Sequence, residues 1–255
     1  MRLIAHLITL LLPATLAAST LTLRTYGRAS PPFFETGAAT QLTKGACPEL
    51  FAALTRVQPE LRFTGQTQNM SLALIEKGLE QHSIDVACSF GRTREREMIA
   101  DYLLPLWQSR HKLLVRQDDT VQISSLAELA VLSRASPVIV RRSSVYAERL
   151  RLAGVSIDDS SSDSPALLQK LLAGRSRFLY SDEHQLAALI ESAGQTGKVR
   201  ILPATLHSEP LYLIVSKGTS EAARTQLRQA MQALRDSGDY QRILQRYHLE
   251  APTQP

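Results

Sequence analysis

The chain has 255 residues, 44% hydrophobic, 21% charged and 5% aromatic, with a formal net charge of +5. That is the composition of a folded protein of one or two domains, and it excludes a disordered or low-complexity chain. The arginines are dispersed and no basic-aromatic run occurs, so nucleic acid is not an expected partner.

The chain opens with Arg2, a mostly apolar run over residues 3–12, Pro13, and the small residues Ala17-Ala18-Ser19. This three-part layout predicts a cleaved secretory signal peptide over residues 1–19, and hence a periplasmic protein. A membrane anchor needs about 18 apolar residues. Pro13 and the polar residues after Ser19 interrupt the run too early for that. No cysteine follows the run, so a lipid anchor is not expected.

Short β-like runs then alternate with amphipathic helices. Residues 21–26 read as a strand, and the prolines of Ser30-Pro31-Pro32-Phe33-Phe34 exclude a helix interior. Pro48 suits a first helical turn, and Leu50, Phe51, Leu54 and Val57 make one helical face. Strands are expected at 61–64, at 84–90 as a buried parallel strand, and at 111–116, with a helix marked by Leu72, Ile75 and Leu79. The second half repeats the alternation. Strands are predicted at 138–140, 178–180, 199–202 and 211–215. Helices are predicted at 143–152, after Ser164-Pro165, and along Leu186, Leu189, Ile190 and Ala193. The end is purely helical. Ala223, Leu227, Ala230, Met231 and Leu234 form one stripe, Gly238 stops it, Asp239 caps the next helix, and Tyr240, Ile243, Leu244 and Tyr247 form the second stripe. Such alternation predicts α/β layers with largely parallel sheets. Cys47 and Cys88 lack the paired CxxC spacing of a zinc site; a disulfide and two buried thiols both fit them.

Four segments carry a resemblance. Residues 84–96 read Ile-Asp-Val-Ala-Cys-Ser-Phe-Gly-Arg-Thr-Arg-Glu-Arg, an "I-D" strand leading to a small-residue loop and T-x-x-R. Ser30-Pro31-Pro32-Phe33, then Leu171-Leu172-Ala173-Gly174-Arg175 with Tyr180-Ser181-Asp182-Glu183, and finally Leu234-Arg235-Asp236-Ser237-Gly238-Asp239-Tyr240 follow in order. Together they resemble family 3 extracellular solute-binding proteins, the polar amino-acid receptors of ABC transporters. The resemblance implies the type II periplasmic binding fold, an α/β fold of two lobes with a ligand cleft between them. Lobe 1 would be residues 20–107 with 212–255, and lobe 2 residues 111–207. Two crossing segments would join them, and closure would be hinge bending. A monomer is expected, without cofactor or metal and without enzymatic activity. Its partners would be a small carboxylated ligand and an inner-membrane permease.

The same resemblance assigns roles. Arg96 would clamp the ligand carboxylate. An arginine in the first turn of a helix sits against the dipole, and a bound anion would resolve that conflict. A surface pair with Glu95 or Glu97 is the other reading. Asp182, at a strand's C-terminal end, would receive the ligand's ammonium, or would simply cap a helix. Ser143 or Ser144 would offer a hydroxyl to the carboxylate, or cap a helix. Ser89 and Gly91 would line the cleft through their backbone, with Phe90 as lining or core. Phe33 would stand in for an aromatic platform that Ser30 lacks, or join the core. Arg142 stands where glycine is usual. With Arg92 and Arg141 it would make the cleft unusually basic and favour a dicarboxylate, or else fill the pocket.

Two other classes compete. A dehydratase-like enzyme shares the fold, and His184 beside Asp182 and Glu183 is the one suggestive acid/base cluster. No G-x-S-x-G or HExxH motif is present. A ligand-sensing partner of a membrane signalling protein needs the same closure as a transport receptor.

Overall fold

The computed structural model describes residues 20–37 and 41–253; the expected signal peptide lies outside them. The chain builds two α/β lobes. In the first, β1 (Leu21–Arg24) runs parallel to β4 (Leu61–Thr64), with Leu21 opposite Leu61. Between them lie β2 (Glu35–Thr36), β3 (Leu42–Lys44) and α1 (Ala46–Val57). Leu50, Phe51 and Leu54 of α1 are buried, as their spacing requires, and Pro48 sits in the first turn, where no N–H partner is needed. Next come α2 (Leu72–Glu80), β5 (Val86–Phe90) and the short α3 (Arg94–Ile99).

The seventeen-residue β6 (Ala100–Arg116) then carries the chain into the second lobe. That lobe holds α4 (Leu126–Ser133), β7 (Val138–Ile139), α5 (Val145–Leu152), β8 (Ile157–Asp158), α6 (Ser164–Leu172), β9 (Leu179–Asp182), α7 (Glu183–Ser192) and β10 (Val199–Ile201). The chain returns along β11 (His207–Ser216), antiparallel to β6 from His207 opposite His111 to Ser216 opposite Ala100. It ends in α8 (Glu221–Asp236) and α9 (Asp239–Arg246), which pack on α1.

The buried apolar side chains divide the same way. Two clusters draw on residues up to Trp107 and from Leu211 onward, including Leu227, Met231 and Leu234 of α8. Two others draw on residues between Leu113 and Leu202. Each fully buried Leu or Met contributes about 1.5–3 kcal/mol, so each lobe has its own stabilising core.

Four expectations need correction. The sheets are mixed rather than largely parallel: β1–β4, β7–β8 and β7–β9 are parallel, but β5–β11, β6–β11, β6–β9 and β6–β10 are antiparallel. The cause is the crossing itself, because a chain that leaves and returns beside itself must run both ways. For the same reason the 84–90 run is not an all-parallel strand. Its ladder partner is the returning β11, and its parallel neighbour is reached only through the bridge Thr25–Val86. The expected strand at 111–116 is the end of a much longer one. Proline is rare in a central strand, but Pro105 sits opposite Tyr212, where the register shifts, and such irregularities admit it. Finally, two caps shift by one residue. Asp163 caps α6 ahead of Ser164-Pro165, and Gly238, in the left-handed region at φ 77°, precedes α9 in place of Asp239.

Cys47 of α1 and Cys88 of β5 form a disulfide with Cα atoms 6.0 Å apart. Closing a loop of 41 residues of sequence separation stabilises the fold by about 4 kcal/mol on a chain-entropy basis.

Candidate functional site

The cleft lies where β1, β5 and α2 of the first lobe face α5, α6 and α7 of the second. It contains two cavities that share a wall. The smaller, about 50 Å3, is lined by Arg28, Ser30, Phe33, Ser89, Gly91 and Arg96 from one side and Ser144, Tyr146 and Gln185 from the other. The larger, about 430 Å3, adds Arg141, Arg142, Asn69, Ser71 and Ser164 to Arg28, Ser30 and Gln185.

Arg96 reaches the cleft because Thr93 ends the β5 loop and caps α3; its Oγ1 accepts from the Arg96 N–H at 3.2 Å. The guanidinium is buried over the Phe90 ring, 5.2 Å from its centroid. Its Nε donates to Glu76 Oε1 of α2 at 2.8 Å and its Nη1 to the Gly91 carbonyl at 2.9 Å. Its Nη2 donates across the cleft to the Ser143 carbonyl at 3.3 Å. Arg96 is thus not a surface partner of Glu95 or Glu97. It bridges the lobes, and Glu76 balances its charge. Sequence spacing gave no sign of Glu76, which lies twenty residues upstream on another helix.

The loop glycine matters through space. A Cβ on Gly91 would come within 2.9 Å of Val145 Cγ1 in α5, so Gly91 lets the lobes approach closely. Ser89 adopts φ 68°, and its Oγ accepts from Trp107 Nε1 at 3.1 Å. Trp107 also stacks on the buried Phe33, with ring centroids 5.5 Å apart. Phe33 therefore serves both core and cleft, and so does Phe90.

On the opposite lobe, Ser144 caps α5, accepting from the Ala147 N–H at 3.2 Å, and donates to the Arg141 carbonyl at 2.6 Å. Ser143 adopts φ 56° and contributes its carbonyl, while its side chain is exposed. Asp182 ends β9 and caps α7, accepting from the His184 and Gln185 N–H groups at 2.9 and 3.3 Å. Its second oxygen accepts from Ser109 Oγ at 2.6 Å. The carboxylate is fully buried, burial pushes its pKa up, and it lines neither cavity. Its hydrogen bonds serve the helix rather than the cleft. His184 also lines neither cavity.

Arg142 is exposed. Its guanidinium donates to the Asp159 and Ser160 carbonyls and lines the larger cavity without closing it. Arg141 is more enclosed; its Nη2 donates to Ser164 Oγ, and burial pulls its pKa down. Arg28, which sequence reasoning missed, stands in the wall shared by both cavities. The residue is half-buried, but Nη1 is sealed and has no acceptor. Burial, reinforced by the nearby Arg141, lowers its pKa to about 9, so it remains a cation at neutral pH. The only signal in the sequence was an arginine just beyond the first strand. Among the described residues lining the two cavities, Asp163 is the one carboxylate. No cluster of three or more His, Cys, Asp or Glu that could hold a metal ion occurs among the described residues.

A two-lobed α/β frame with a cationic cleft at its seam defines a small-molecule binding protein. Residues 26–250 match the model of the bacterial extracellular solute-binding proteins, family 3, and the chain belongs to that family. Solved structures share the fold. An ancestral arginine-binding protein bound to arginine superposes with a TM-score of 0.74 at 22% identity, covering 89% of this chain and 97% of that one. A histidine kinase sensor domain similar to periplasmic binding proteins gives 0.77 at 17%, covering 91% and 98%. The substrate-binding protein of an amino acid ABC transporter gives 0.72 at 16%, covering 89% and 98%. Among curated proteins, none matches at a significant level.

Proposed function

We propose that this protein is a periplasmic receptor that captures a small carboxylated ligand, an amino acid or a related anion, for an ABC-type uptake system. Residues 1–19 would be its signal peptide. Residues 20–107 with 212–255 would form lobe 1, and 111–207 lobe 2. One observation carries the reading: Arg28, Arg96 and Arg141 converge on a cleft whose described lining holds a single carboxylate. Such an imbalance favours an anion.

In this reading Arg96 clamps a carboxylate as Glu76 yields its place. Ser144 offers a hydroxyl, Ser89 and Gly91 shape the approach, and Phe33 forms the apolar wall. Asp182 meets a ligand ammonium only by releasing Ser109, so the reading rests on the anionic end of the ligand. The carrier of recognition is binding energy alone, and no catalytic step is assigned.

A thermal-shift screen of amino acids and small anions tests it. A ligand at about 100 times its Kd adds roughly 2.7 kcal/mol of stability. We expect a shift with a carboxylate that disappears in Arg96→Ala. A panel with no shift at all would overturn the receptor reading.

The likeness to a sensor domain supports a second reading, in which the closed form docks on a membrane signalling protein. Pull-down from membranes with the liganded protein separates the two. Recovery of a permease supports uptake, and recovery of a sensor kinase supports signalling.

A further inference from the structure

The cleft arginines differ in what they hold. All three donor nitrogens of Arg96 have protein partners. Arg141 has Ser164, and Arg142 has two backbone carbonyls. Arg28 has none at Nη1, although that atom is sealed from solvent. Ser30, two residues on, is buried as well, and its Oγ also has no partner. Both line the smaller and the larger cavity. Two unsatisfied donors thus sit in one wall, close to a second half-buried cation, Arg141, and among the described residues no carboxylate hydrogen-bonds to the Arg28 Nη1.

A buried donor without an acceptor costs about 1–3 kcal/mol, and more when it is charged. A protein that keeps such a group at a cleft wall gains when an external acceptor arrives. Arg96 lines the same small cavity from the α3 side, so a single molecule seated there can meet both cations.

We propose that Arg28, with Ser30 and Arg141, forms a second anion-binding pole, so that the cleft selects a ligand carrying two anionic groups. The inference rests on the receptor reading above. It moves the source of excess charge away from Arg142, whose Nε and Nη2 already donate to backbone carbonyls and whose side chain is exposed. Arg28 and Ser30 bind the distal anionic group, and Arg141 adds long-range attraction from the other lobe.

Calorimetric titration of the purified protein tests this with matched probes: glutamate against glutamine, succinate against butyrate, and inorganic phosphate. We expect the dicarboxylate member of each carboxylate pair to bind at least about tenfold tighter, which corresponds to about 1.4 kcal/mol. In Arg28→Gln that ratio should fall to near one. Phosphate binding alone would place the pole's preference on a compact oxyanion and overturn the two-group ligand. Glutamine and glutamate binding equally well in the wild type would overturn the second pole and leave the receptor reading standing. No binding by any probe overturns both. A second measurement guards against misfolding. Removing an unpartnered buried cation should raise the Tm of the ligand-free protein. A lower Tm in Arg28→Gln would mean that the guanidinium is a structural element, and would overturn the proposal.

Discussion

The two ends of the cleft solve the burial of arginine in opposite ways. Around Arg96 the charge is balanced by Glu76, every donor nitrogen has an oxygen, and the space left is about 50 Å3. Around Arg28 the cations outnumber the acids, a donor is left open, and the adjoining space is about 430 Å3. A buried ion pair is a finished structure, because removing one partner leaves the other uncompensated. A buried cation with an open donor is unfinished and can be completed from outside. The contrast teaches that, in a basic cleft, hydrogen-bond satisfaction separates an arginine that must exchange a protein partner for a ligand, as Arg96 must exchange Glu76, from one whose donor is already open.

Three changes break or sharpen that contrast. The largest effect is expected at the disulfide, which fixes the β5 strand leading to the Arg96 end. The double variant Cys47→Ala, Cys88→Ala should lose about 4 kcal/mol, measured by urea denaturation. A loss under 1 kcal/mol would show that the packing of α1 alone holds β5 in place. Next is Glu76→Gln, which leaves the Arg96 guanidinium buried without a counter-charge. Stability should fall by about 3 kcal/mol, and added carboxylates should restore more of it than they add to the wild type. If the variant is as stable as the wild type, the two ends are not different in kind. The smallest effect is expected for Arg142→Gly. Its side chain is exposed and bonds only to loop carbonyls, so stability should move by no more than about 0.5 kcal/mol and ligand preference should hold. A changed preference would return Arg142 to the site.

The fold was legible where one rule acts alone. The stripes of α1, α8 and α9 follow the helical period, and Leu50, Leu54, Leu227, Leu234 and Ile243 are buried where the period puts them. The full extent of β6 was not legible, since Pro105 breaks a local rule that only the register shift opposite Tyr212 excuses. Arg96 and Ser144 were found because loop motifs place them at element starts. Glu76 and Arg28 were not, because what matters about them is a partner, present or missing, on a different element. Asp182 shows a third case. Both of its readings were visible, and hydrogen bonding to Ser109, more than seventy residues away, weights the cap. The disulfide belongs with these, since spacing alone left the two sulfurs open.

The paired β6 and β11 give the molecule one more property. Both crossings between lobes are neighbouring strands of a single sheet, joined by a ladder from His207–His111 to Ser216–Ala100. Two separate loops would let the lobes swivel freely. Between β5, which joins β11 at Tyr212, and β9, which joins β6 at His111, the crossing is a two-stranded ribbon; such a ribbon resists shear along its length and yields mainly to twist and bend, like a leaf spring. Its irregular step between Leu211 and Tyr212, at the point where β5 joins, is its compliant point. It includes Leu211, in the wall of the smaller cavity. Motion of the lobes is therefore channelled into one rocking coordinate, and whatever enters beside Leu211 sits at the spring's softest place.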